Sequence, residues 1–172
     1  MTSELLDQAL VEEATKKSGL IWVTGPGSPA RALWHVWHEA AACVVGDGPG
    51  EQPLPGLVDG SEAEVTVRSK DKGGRLVSWT AKVVEQAPGS PAWEATVAEL
   101  KGKRLNARDG EAMPVRWARE CRVLRLEPTG TTAALPDGDL AEAPLPTPAT
   151  TRGPIPAGLP RLLLKRGRGR RR

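Results

Sequence analysis

The tryptophans and prolines of this 172-residue chain occupy different parts of it. All six tryptophans, Trp22, Trp34, Trp37, Trp79, Trp93 and Trp117, precede residue 118, whereas eight of the 16 prolines lie between Pro128 and Pro160. Tryptophan brings a large apolar surface to a core, and proline removes a backbone donor and interrupts regular elements. A hydrophobic core is therefore expected before Pro128, and the length suits one core rather than two. With no Phe and no Tyr, the tryptophans carry all aromatic burial and any stacking on a ligand. The expected organisation is one compact domain over residues 1–128, a disordered proline-rich linker over 129–160 and a cationic Arg/Gly tail over 161–172.

The period of the apolar residues gives the elements. Ser3 is placed to cap a helix whose Leu5, Leu6, Ala9, Leu10 and Ala14 share a face, with Lys16 and Lys17 in its last turn and Gly19 as its stop. A strand follows over residues 20–24. Residues 31–45 read as two strands joined by a turn near Glu39 and Ala40. Leu33, His35 and Trp37 fall on one face of the first strand, Trp34, Val36 and His38 on the other, so both faces are expected to be covered. The clearest signal is a long hairpin in which Val65 and Val67 alternate with polar residues, a polar glycine-containing turn follows, and Val77, Trp79, Ala81 and Val83 mark the inward face of the return. Ser90 before Pro91 starts a second helix carrying Trp93, Val97 and Leu100. A last strand carries Trp117 and Val123 and is expected to end at Pro128. The fold class predicted is β-rich α+β, a small antiparallel barrel of about six strands with two packed helices.

Charge and cysteine content narrow the function classes. Residues 161–172 hold seven cations and no acid, so the net +3 of the whole chain leaves the preceding residues at −4. The basic character belongs to the tail, not to a folded surface. Arg166, Arg168, Arg170, Arg171 and Arg172 are candidates for weak, salt-sensitive, sequence-independent contacts with nucleic-acid phosphates. Two cysteines make no disulfide framework, which fits a reducing, cytoplasmic setting. No secretory leader and no apolar run of about 20 residues is visible. His35 and His38 lie on opposite faces of a strand with no third ligand nearby, so no metal site is expected. Cys43, within an apolar run, reads as a small hydrophobe rather than a nucleophile.

The order of elements, together with the segments LIWV and RALWHVWH and the late hairpin, resembles the split-barrel flavin-binding family that includes pyridoxamine phosphate oxidase. The resemblance spans roughly residues 3–128. It implies a homodimer with FMN or a deazaflavin between subunits, and an oxidoreductase acting on a small substrate, the flavin supplying the chemistry. On that resemblance Arg31 is the basic residue opening the flavin-facing strand, and Leu33, Trp34 and His35 wall the ring. The family's following basic pair is replaced here by Glu51 and Gln52. A carboxylate there is expected to repel a phosphate, leaving Arg68, Lys70 and Arg75 on the hairpin to compensate. Two other classes stay open: a cofactor-free barrel acting as an interaction module, and a nucleic-acid-associated protein acting through its tail.

Overall fold

The computed structural model describes residues 2–69, 75–105, 107 and 109–133, all within one compact unit. The hairpin tip with Lys70, residues 134–160 of the expected linker and the cationic tail lie outside the described residues. Helix α1 (Thr2–Lys17) leads into β1 (Leu20–Thr24), β2 (Arg31–Trp34), β3 (Val36–His38), β4 (Ala41–Gly46), β5 (Glu62–Arg68) and β6 (Arg75–Glu85). Helix α2 (Pro91–Lys103), a 3-10 turn (Gly110–Ala112), α3 (Met113–Glu120) and β7 (Arg122–Ala133) complete the fold. The strands form one antiparallel sheet in the order β2-β1-β5-β6-β7-β4-β3. Its two edges, β2 and β3, are consecutive in the chain with His35 alone between them, and the sheet curls into an almost closed barrel split at that residue.

Strand alternation separates two cores. Inside the barrel lie Ile21, Leu33, Val44, Val65, Val77, Trp79 and Leu126, with Trp37 packed against them. Outside β3, β4 and β7 a second core gathers Val36, Cys43, Val45 and Val123 beneath Trp93, Val97 and Leu100 of α2 and Met113 and Trp117 of α3. The two tryptophans of residues 31–38 thus serve different cores, and both faces are covered as the alternation requires. The hairpin pairs Val65 with Trp79 and Val67 with Val77, so the expected inward face is the observed one. Ser90 caps α2, its Oγ accepting the Trp93 N–H at 3.2 Å, with Pro91 at the first helical position.

Four expectations are corrected. Residues 31–38 do not make one strand, because the chain breaks at His35 into β2 and β3, which lie at opposite edges of the sheet. On α1, Leu5, Leu6 and Leu10 are 68%, 66% and 43% exposed, and the helix instead buries Val11 and Thr15 on the barrel. Trp117 belongs to α3, not to the closing strand. Pro114 in the first turn, with Met113 and Trp117 four residues apart on one buried face, is the helical signal that a strand reading overlooked. Finally, β7 does not end at Pro128. Pro128 sits opposite Ala81, the register then shifts between Trp79 and Ala81, and Gly130 takes φ 87°. A bulge of this kind tolerates a residue with no N–H, and pairing resumes with Thr132 opposite Trp79.

Candidate functional site

The split in the barrel is the floor of a cleft of about 530 Å³. The carboxyl end of α1 supplies Lys16, Lys17, Ser18 and Gly19 on one side, and the carboxyl end of α2 supplies Lys103 and Arg104 on the other. Between them lie Trp34, His35, Val36 and Trp37, the residues where the chain passes from one sheet edge to the other.

Cations in the last turn of a helix offset its macrodipole, so their presence alone does not make an anion site. Their partners are more telling. Lys16 pairs with Glu12 and Lys17 with Glu13, both one turn back along α1. Arg104 pairs with Glu51 at 3.2 Å and places its guanidinium 5.1 Å from the centre of the Trp34 ring. Lys103 has no ion-pair partner among the described residues. The cleft thus combines a partly exposed indole with one uncommitted ammonium group.

His35 is 8% exposed. Its Nε2 lies 2.9 Å from the Thr15 carbonyl, which ties the split to the end of α1. Burial lowers its pKa, the backbone carbonyls of Thr15 and Leu33 oppose that, and the charge on Lys103 adds to the lowering. The neutral ring therefore dominates at neutral pH, with Nε2 donating to Thr15. Cys43 is buried and its thiol is pushed up to about 11 by desolvation, so it is no nucleophile at neutral pH. Among the described residues no group of three His, Cys, Asp or Glu is placed to hold a metal ion.

The segment expected to face a phosphate does something else. The Glu51 side chain is fully buried, paired with Arg104 and with Arg116 at 3.0 Å, and accepts the Trp117 indole N–H at 3.0 Å. It points into the protein, so the repulsion anticipated from a carboxylate at this position does not arise. Gln52 accepts the Trp34 N–H through Oε1 at 2.9 Å and donates through Nε2 to the carbonyls of Trp34 at 2.9 Å and Val45 at 3.2 Å. Residue type alone did not signal either role, because both rest on partners far away in sequence.

The other residues singled out from the sequence divide as follows. Trp34 and His35 come together in the cleft, whereas the Leu33 side chain is 1% exposed in the barrel core, so only its backbone is available to a ligand. Arg31 is exposed at the start of β2 and does not line the cleft. Arg68 is exposed with its guanidinium 4.7 Å from the centre of the Trp22 ring, also away from the cleft lining. Arg75 opens β6. Lys16, Lys17, Lys103 and Arg104 were missed. The available signal was the basic last turn of each helix, which is ordinarily read as dipole compensation alone.

No family model matches the sequence, and no curated protein does. Among solved structures the chain is similar to HutZ, the heme storage protein from Vibrio cholerae, at 10% identity and TM-score 0.47, covering 72% of this chain and 90% of that one. It is also similar to the FAD and heme binding protein from Mycobacterium smegmatis, at 16% identity and TM-score 0.46, covering 91% and 93%. An F420 reductase is similar at 11% identity and TM-score 0.42, covering 71% and 94%. Likenesses this distant assign no activity to this chain.

Proposed function

We propose that this protein binds a flavin, FMN or a deazaflavin, in the cleft at the barrel split, and that it serves as an oxidoreductase on a small substrate. The observation that supports this most is the pairing, in one cleft of suitable size, of the Trp34 ring with the uncommitted Lys103 ammonium. An indole offers a flat wall to an aromatic ring, and an ammonium offers a point charge to a phosphate. The residues present fit the group. Trp34 would flank the ring, Lys103 would hold the phosphate, and Gly19, with open space where a side chain would begin, would allow close approach. The bound flavin would supply hydride transfer. The chain's own part is orientation: His35 holds the split against α1, and Arg104 stiffens Trp34. The internal, ion-paired position of Glu51 keeps its charge from opposing a phosphate, which supports the flavin reading over a cofactor-free module. Exposed Leu20 and Leu76 on the outer sheet are compatible with a homodimer, which sedimentation would test.

Titration with FMN and riboflavin at fixed salt tests the reading. Lys103→Gln should weaken FMN by about 1.5–3 kcal/mol, the range for a charge-assisted hydrogen bond, and leave riboflavin unchanged. Trp34→Ala should weaken both. Arg31→Ala should change neither, since Arg31 does not line the cleft. Absence of saturable flavin binding by the wild type would overturn the proposal.

A further inference from the structure

The geometry points to Gln52 as a positioning residue that stands in for a missing strand neighbour and sets the Trp34 platform of the cleft. This deepens the flavin reading above and rests on it only where ligand affinity is measured. The register of β3 against β4 pairs Val36 with Cys43 and His38 with Ala41, and continuing it by two residues would set Trp34 opposite Val45. The chain does not continue it, because at His35 it turns away to pair β2 with β1. Trp34 is thereby left with its N–H and C=O directed into the split, two groups that must find partners if they are not to be buried unpaired.

The Gln52 amide fills that gap. It accepts from the Trp34 N–H and donates to the Trp34 carbonyl, both at 2.9 Å, the same reciprocal exchange that a hydrogen-bonded residue pair makes in an antiparallel ladder. Its second Nε2 proton reaches the Val45 carbonyl at 3.2 Å, so one side chain spans from β2 to β4. The backbone of Gln52 is held equally firmly. Its carbonyl accepts the Asp47 N–H at 2.9 Å, and it bridges to Gly46, where a Cβ would come within 2.2 Å of that carbonyl oxygen. Only a glycine at 46 allows this approach. The neighbouring Glu51 meanwhile holds Arg104 over the Trp34 ring, so residues 51 and 52 fix the indole from its backbone and from its face.

Two variants separate positioning from charge or general stability. Gln52→Met keeps the length and loses every side-chain hydrogen bond. It should speed hydrogen exchange of the Trp34 amide and shift the Trp34 indole resonance while the β5–β6 hairpin amides stay protected. It should weaken FMN and riboflavin by the same factor, about tenfold for a displaced ring platform. Gln52→Glu removes the donors at pH 7.5 and regains one when its new carboxyl is protonated. Its flavin affinity should therefore recover, relative to wild type, as the pH is lowered through about 4.3, the ordinary glutamate value, below which the carboxyl is mostly protonated. An unchanged Trp34 amide in Gln52→Met would overturn the inference, as would a loss confined to FMN. If the wild type binds neither flavin, the functional proposal falls, and the Trp34 amide and indole signals alone decide the role of Gln52.

Discussion

Truncating Trp79 to alanine measures how far the barrel interior is held by its two tryptophans. Trp79 is 2% exposed on β6 and meets Trp37 edge to face, with ring centres 6.3 Å apart and planes at 82°. A buried tryptophan removes about 200 Å² from water, which at ~25 cal/mol per Å² corresponds to ~5 kcal/mol, an upper bound because the unfolded chain already hides part of that surface. Its neighbours Val65, Ala81 and Leu126 lie on hydrogen-bonded strands and have little freedom to close the void. The expected loss is about 3–5 kcal/mol by urea denaturation, read as a lower midpoint at unchanged slope. A double-mutant cycle with Trp37→Ala should give a coupling of about 0.5–1.5 kcal/mol for the edge-to-face contact. A loss below about 1 kcal/mol would refute the assignment of Trp79 to a closed core, and zero coupling would refute the contact.

The turn between β3 and β4 puts Glu39 at φ 45° and Ala40 at φ 58°, left-handed values that cost a residue with a Cβ about 1–2 kcal/mol. After the added freedom of glycine in the unfolded chain, Ala40→Gly should stabilise by about 0.5–1 kcal/mol in the same denaturation assay. A chain truncated after Pro128 loses the segment that pairs with Ser78 and Trp79, and should melt several degrees below one ending at Ala133; equal melting would show that this segment contributes nothing. Because burial holds the His35 pKa below its ordinary value of about 6.5, the unfolded chain binds a proton there that the folded one resists. Stability should therefore fall as the pH drops through about 6.5 toward the lowered folded value, and in His35→Gln that part of the slope should be missing.

What the sequence revealed follows from the range of the interactions involved. The hairpin register was legible because burial of one face makes a period of two unambiguous, and the cap at Ser90 because it acts within three residues. The last strand runs past its expected end because a bulge within it, where Pro128 to Thr132 stands opposite Ala81 to Trp79, accepts the proline that a strand reading treats as a stop. Trp117 reads as a strand residue because its helix is the shortest of the three α-helices and buries only Met113 and Trp117, too few positions to display a helical period. The least legible feature was the Glu51–Gln52 pair. Nothing local distinguishes a glutamate that repels a ligand from one that anchors two arginines, and the distinction exists only after α2, α3 and the split have come together.

Strand β7 lies between β6 and β4, joining the hairpin half of the sheet to the half made by β3 and β4. Until that last strand arrives, β4 and β6 each present an open row of peptide groups, and no shorter amino-terminal fragment can seal them. Folding should therefore be completed late and in one step, with fragments that stop before Arg122 vulnerable to pairing with one another. Once β7 docks, its two neighbours lose their open sides together, which makes this strand the keystone of an arch rather than one more stave.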